Sequence, residues 1–232
     1  MNFVTETSAY FVPNQCLFGA YPTQQQITAL EDWGVELFVD LTCKDEKKIK
    51  PYETKKTVLK FPIPDRKVPE NEIEFCALVL YVVEKIKSKT KIYVHCKGGH
   101  GRSGLLVAAV LCHLYRLSTK DSFDKTSKYH STRPVHSWNP KNNEFWKRKG
   151  SPQTTDQKDF VKRMFQPYAV TSDSPFNETR SWVSGDYDDF FFTTNLGFVL
   201  YGKFWKELED YRNDLIRKTH TLCKYLSHPQ EG

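Results

Sequence analysis

The chain has 232 residues, enough for one domain of ordinary size with an appendage and too few for two large domains with separate cores. Hydrophobic residues at 39% and charged residues at 27% exclude a disordered chain, and no apolar run reaches the roughly eighteen residues that span a bilayer. The net charge of +6 favours anionic partners, but the basic residues are spread along the sequence, so a solvated basic surface is the simpler account.

The start, MNFVTETSAYF, has neither a basic n-region nor an apolar h-region, and a soluble cytoplasmic protein is expected, with the nucleus also open to it. The six cysteines (16, 43, 76, 96, 112 and 223) show neither a CxxC pair nor metal-ligand spacing and read as reduced thiols. Residues 15–21 are an apolar segment ended by Pro22. The following QQQITALEDWG has helix spacing through Ile27, Leu30 and Trp33, and Gly34 stops it. VELFVDLT is a strand candidate, CKDEKKIKPYETK a charged loop and residues 57–61 a second strand. Three prolines then hold PIPDRKVPE extended around Asp65.

From Glu72 to Lys87 the spacing of Ile73, Phe75, Cys76, Val79, Leu80, Val83 and Ile86 predicts a helix packed on a sheet. Next come KIYVH as a buried strand, a glycine-rich loop, and LLVAAVLCHLY as an interior helix. This order predicts an α/β fold with a central, largely parallel sheet flanked by helices. The chain then reads as polar up to Phe145, and QTTDQKDFVKRMF as a further helix. We expect a catalytic domain over residues 1–167 and a C-terminal extension over 168–232, made of a β-hairpin and an amphipathic helix.

Residues 95–104, HCKGGHGRSG, place a cysteine and an arginine six positions apart with three glycines between them. In a strand-to-helix loop, successive N–H groups can turn inward as an anion nest, which glycine permits. The same groups favour a cysteine thiolate, and an arginine offers two phosphate oxygens a planar fork that lysine lacks.

This segment resembles, without gaps, the HCxxGxxR(S/T)G signature of the protein tyrosine and dual-specificity phosphatase superfamily. The resemblance implies that Cys96 is the nucleophile, Arg102 the phosphate clamp, and Ser103 the hydroxyl that supports breakdown of a phosphocysteine, with His95 orienting the loop. Lys97, Gly98, Gly99, His100 and Gly101 would bind the substrate phosphate alongside Arg102, and Lys97 and His100 would make the loop interior basic. Asp65, thirty-one residues before Cys96, sits in a proline-bracketed context similar to the family's general-acid loop. Gln153 and Gln157 fit the QTxxQ pattern that positions the hydrolytic water, and four-residue spacing would put both on one helical face.

The expected activity is hydrolysis of phosphotyrosine, with phosphoserine and phosphothreonine, on phosphoprotein substrates, using neither metal nor cofactor. No counterpart to the tyrosine-bearing loop of tyrosine-specific members stands near the N-terminus, which implies a shallower cleft. The basic loop keeps a phosphoinositide or an RNA 5′-triphosphate as alternative substrates. Gly101 stands where RNA triphosphatases of the superfamily usually carry asparagine and weakens the latter. A phosphoprotein-binding pseudophosphatase is a further alternative, against which Cys96, Arg102 and Asp65 are all present. A nucleic-acid-binding role would need basic and aromatic residues interleaved on one face, whereas the clearest aromatic cluster, residues 190–192, reads as a buried strand.

Overall fold

The structure is a computed structural model and describes residues 4–47 and 49–165. The expected hairpin and helix over 168–232, and Cys223, lie outside the described residues. A five-stranded sheet has the order β1-β2-β5-β3-β4, formed by β1 (Ser8–Val12), β2 (Cys16–Gly19), β3 (Leu37–Asp40), β4 (Thr57–Lys60) and β5 (Ile92–His95). Only β1, paired with β2, runs antiparallel; the other neighbours are parallel, as expected.

Helices cover both faces. The first, α1 (Gln24–Trp33), begins with a capping box between Thr23 and Gln26 and ends at Gly34, whose φ of 102° suits glycine. It closes a small core of Leu17, Ile27, Leu30, Val35, Phe38 and Tyr93. The opposite face carries α2 (Glu72–Lys87), capped by Asn71, with α3 (Arg102–Tyr115) and α6 (Thr155–Phe165), and holds the larger core. Along β5 the alternation is visible: Ile92 and Val94 enter the larger core and Tyr93 the smaller one.

The segment after Tyr115, expected to be polar up to Phe145, contains α4 (Thr119–Ser131) and the short α5 (Asn143–Lys149). The buried positions of α4 are Thr119, Ser122, Thr126 and His130, a helical stripe made of polar residues. Their polarity is met inside: Ser122 Oγ donates to Ala108 O at 2.6 Å and Thr126 Oγ1 to Ser122 O at 2.7 Å.

The fold's consequence for function lies at the carboxyl end of β5. His95 pairs in register with Gly19 on one side and Asp40 on the other, so the loop leaving His95 emerges between two strand ends and runs into α3. That edge is where parallel α/β sheets leave a crevice for ligands.

Candidate active site

Residues 96–101 join β5 to α3, and the peptide planes of this loop are fixed from outside. Lys97 O accepts from Tyr21 N at 3.1 Å, Gly99 O from Arg133 Nη1 at 2.6 Å, and His100 O from Ser151 Oγ at 2.5 Å. In a trans peptide the next N–H points opposite to the carbonyl. Each tether therefore turns the N–H of Gly98, His100 or Gly101 away from its anchor and toward the concave side of the loop. At the end of the loop, Gly101 caps α3 without a side-chain hydrogen bond, which leaves first-turn N–H groups for an anion.

The glycines fit this geometry for different reasons. Gly99 has φ of 73°, and a Cβ there would lie 2.3 Å from Gly19 C and 2.5 Å from Ala20 N. It packs against the β2 end, where close backbone approach requires glycine. Gly101 leaves room for the Gln157 side chain, which a Cβ would meet at 2.9 Å.

A cavity of about 300 Å³ opens above the loop, lined by Cys96, Lys97, Gly98, His100, Gly101 and Arg102 together with Asp65, Arg66 and Gln153. Cys96 is buried, with Sγ 3.6 Å from Ser103 Oγ. Arg102 is buried as well. Its Nη1 donates to Ile63 O at 2.9 Å and to Glu46 Oε1, and its Nη2 to Glu46 Oε2 and Asp65 Oδ1, each at 3.0 Å. Burial opposes ionisation of Glu46, but hydrogen bonds from Arg102 and the Cys43 amide overcome it and hold the carboxyl below its usual range. The Asp65 side chain is 58% exposed on a loop where Arg66 has φ of 62°, so the candidate acid touches the clamp yet is free to turn.

His95 is fully buried among Tyr21, Tyr52 and Tyr93, with Nε2 2.9 Å from Tyr52 Oη and Nδ1 3.7 Å from Asp40 Oδ1. Burial pushes its pKa down to about 4, so it is a neutral ring beneath the loop. The expectation that His100 adds positive charge is corrected. Its ring stacks on Trp146 at 5.1 Å, its Nδ1 meets His130 Nε2 at 2.8 Å, and burial lowers its pKa to about 3. Lys97 remains the loop's side-chain cation besides Arg102.

The two glutamines do not share a helical face. Gln153 precedes α6 and lines the cavity, whereas Gln157 lies inside the helix and is fully buried. Gln157 Oε1 accepts from the N–H groups of Gln153 and Thr154, each at 3.2 Å, and its Nε2 donates to Lys67 O at 3.2 Å. It ties the acid loop to the segment carrying Gln153.

Sequence reasoning missed Glu46, Arg133, Ser151 and the wall formed by residues 135–139 with Trp146. Glu46 stands in a charged run where no neighbour marks it out. Ser151 precedes the QTTDQ motif, and that adjacency was the available signal. Residues 135–139 and Trp146, between α4 and α6, form one side of the cavity, and Thr7 and Ala20 line it from the N-terminal part of the chain.

A family model described as "Polymorphic toxin system, DSP-PTPase phosphatase" matches residues 16–114. The chain is 37% identical over 183 residues to "Putative tyrosine phosphatase 197R" of Invertebrate iridescent virus 6, a match covering 73% of this chain and 61% of that protein. It is 34% identical over 193 residues to "Putative tyrosine phosphatase 067L" of Invertebrate iridescent virus 3, covering 82% and 78%. The chain thus spans less than two thirds of the first relative. Among solved structures, the active form of Tk-PTP shares the fold, with a TM-score of 0.51 at 21% identity over 67% of this chain and 94% of that one.

Proposed function

The chain belongs to the cysteine-based tyrosine and dual-specificity phosphatase superfamily, and from that premise we propose that it hydrolyses phosphotyrosine, with phosphoserine and phosphothreonine, on proteins through a phosphocysteine on Cys96. The observation that carries the reading is the convergence on one cavity of Cys96, the loop residues Lys97, Gly98, His100 and Gly101, Arg102 and Asp65.

In the first step the Cys96 sulfur attacks phosphorus, a P–S bond forms, and the bond to the substrate oxygen breaks as Asp65 gives that oxygen its proton. Arg102 Nη2 is shared between Glu46 and Asp65 before substrate arrives. A phosphate oxygen takes over the donation to Asp65, and the exposed carboxyl, released from Arg102, takes a proton from solvent and turns to the leaving oxygen. Glu46 stays bound to the guanidinium and fixes its plane. In the second step water attacks phosphorus, Asp65 takes its proton, and the P–S bond breaks to return the thiolate and inorganic phosphate. Ser103 Oγ donates to the sulfur as it leaves, and Gln153, held through Gln157, orients the water. The loop amides serve the charge that grows on the equatorial oxygens in both steps.

The catalytic unit is assigned to residues 1–167, with 168–232 appended. In support, every group named in these steps lies between Glu46 and Gln157.

The test is turnover of the full chain on an aryl phosphate and on phosphotyrosine and phosphothreonine peptides. Cys96→Ser should abolish all three, and acid-quenched wild-type enzyme should carry phosphate on the Cys96 peptide. Arg102→Lys should lose at least about a hundredfold in kcat, because one ammonium cannot present two aligned donors. Full activity of Cys96→Ser, or phosphate trapped on another residue, would overturn the mechanism.

A further inference from the structure

Three buried histidines meet at the phosphate loop, and none of the steps above uses their rings. His130 is on α4, His100 belongs to the loop and lines the cavity, and His136 lines it as well. The rings meet edge to face, His130 with His100 at 5.1 Å and with His136 at 4.8 Å. Burial, and then the nearby Arg133 charge, oppose a second proton on each of the three. A neutral imidazole has one N–H and one lone pair, so each contact it makes fixes where its proton sits.

His136 Nε2 lies 2.8 Å from His130 O, and a carbonyl accepts, so the N–H of His136 is on Nε2. His130 Nε2 lies 2.8 Å from His100 Nδ1, and one of the two must donate. Were His100 the donor, the His130 proton would sit on Nδ1, a buried atom with no partner among the described residues. A buried N–H without an acceptor is rarer in folded proteins than an acceptor left unused. His130 therefore donates its Nε2–H, His100 accepts at Nδ1, and the His100 proton is on Nε2. The His136 backbone attracts a ring N–H of His100 and points to the same tautomer, because Nδ1 is already engaged by His130.

The other edge of the His100 ring faces Gly98. A Cβ at Gly98 would lie 2.8 Å from His100 Cδ2 and 3.2 Å from Nε2, and Gly98 and His100 both line the cavity. Trp146 stacks on the ring at 5.1 Å, with the planes 12° apart, and holds its orientation. We propose that His130 is a positioning residue for phosphate binding: by donating to Nδ1 it presents His100 Nε2–H, a neutral donor, to a phosphate oxygen in the cavity. A charged oxygen is a stronger acceptor than the His136 backbone and takes over that N–H on binding. In the opposite tautomer a lone pair at Nε2 would repel the same oxygen. The inference rests on reading the cavity as the phosphate site.

The test uses the full chain. Nitrogen-15 correlation spectra, with His100 assigned by the signals lost in His100→Phe, should show Nε2 protonated and Nδ1 bare. The Nε2 signal should move on adding tungstate, a tetrahedral oxyanion that stands in for phosphate. In calorimetric titration, tungstate should bind about tenfold or more weakly to His100→Phe, which keeps the stacked ring and loses one hydrogen bond to a charged group. His130→Phe cannot donate and should weaken binding by about three- to tenfold, whereas His130→Gln, whose amide N–H reaches the same place, should stay within about twofold of wild type. Protonated Nδ1 on His100, unchanged tungstate affinity in His100→Phe, or equal affinity in His130→Phe and His130→Gln would overturn the inference. The wild-type spectra decide it even where a His130 variant folds poorly. Aryl phosphate turnover by a chain whose His100 carries its proton on Nδ1 refutes this inference alone. The expected tautomer and tungstate binding without turnover refute the catalytic reading alone.

Discussion

Arg102 and Arg133 stand on opposite sides of the same phosphate loop, both buried, and their partners differ in kind. Arg102 lines the cavity and holds two carboxylates, those of Glu46 and Asp65, besides the carbonyl of Ile63. Arg133 lies behind the loop and holds carbonyls alone, Gly99 O at 2.6 Å and Phe18 O at 3.0 Å, with its guanidinium 4.4 Å from the Phe18 ring centroid. Burial lowers the Arg133 pKa to about 10, which still leaves it charged at neutral pH. A carboxylate can be exchanged for a phosphate oxygen, whereas a backbone carbonyl cannot leave. The cavity side is therefore exchangeable and suited to chemistry, and the far side is fixed and suited to aiming amides. The charges acting on Arg133 among the described residues are those of Tyr93 and Cys96, so its guanidinium faces the sulfur from behind the loop.

The largest effect that can break this division is expected on the exchangeable side. Asp65→Asn keeps the shape of the group that touches Arg102 but cannot give up a proton. For phosphoserine peptides, whose leaving oxygen needs that proton, kcat should fall by about 10² to 10⁴. For an activated aryl ester the loss should stay within about tenfold, and thermal stability should hardly change because the side chain is largely exposed. Equal losses on both substrates, measured as kcat across a series of leaving groups, would make Asp65 a structural partner of Arg102 and place the acid elsewhere.

On the fixed side, Arg133→Met fills the space without the donors. Two buried carbonyls lose their partner, at a cost of about 1–3 kcal/mol each, and the melting temperature should drop by about 5–10 °C. Because the Gly99–His100 peptide is then free to rotate, kcat should fall by about ten- to a hundredfold, with similar factors for aryl and alkyl substrates. That independence from the leaving group sharpens the contrast with Asp65→Asn. A variant with lowered stability and unaltered kcat would show that the carbonyl tether does not aim the amide.

Legibility in the sequence divided by distance along the chain. The loop residues, α1 and α2 could be read because their signals are local: glycine spacing, a stripe of Phe75, Cys76, Val79, Leu80 and Val83, and Gly34 at the end of α1. The bounds expected for α2 are those observed. What reaches the loop from distant parts of the chain was not legible. The stripe of α4 is polar, so a search for apolar periodicity passes over it. Glu46 reaches Arg102 across 56 positions and Arg133 reaches Phe18 across 115, distances over which no local pattern operates. Gln153 and Gln157 were legible as a motif, but their separation by the start of α6 was not, because the spacing alone cannot tell a helix from the loop before it.

The smallest expected effect concerns the buried histidines that pack against the loop and is read through pH. His100, His130 and His136 meet around α4, with His136 Nε2 2.8 Å from His130 O, and burial lowers the pKa of each. His95 beneath the loop behaves alike. In the unfolded chain a histidine takes a proton near pH 6.5, so below that pH the unfolded state binds protons that the folded state refuses. The sign follows: the stability these neutral rings contribute is fully present above about pH 6.5 and is lost as pH falls from there toward the folded-state values. Each ring should add a slope of up to about 1.4 kcal/mol per pH unit in that window. Urea unfolding at pH 7.5, 6.5, 5.5 and 5.0 should show this loss in the wild-type chain. His130→Gln keeps a polar group beside His100 but cannot be protonated, so it should reduce the slope by about one proton while kcat at pH 7.5 changes less than in Arg133→Met. If wild type and His130→Gln lose stability in parallel, His130 carries its proton in the folded protein, and the histidine cluster against the loop is then more strongly charged than its packing implies.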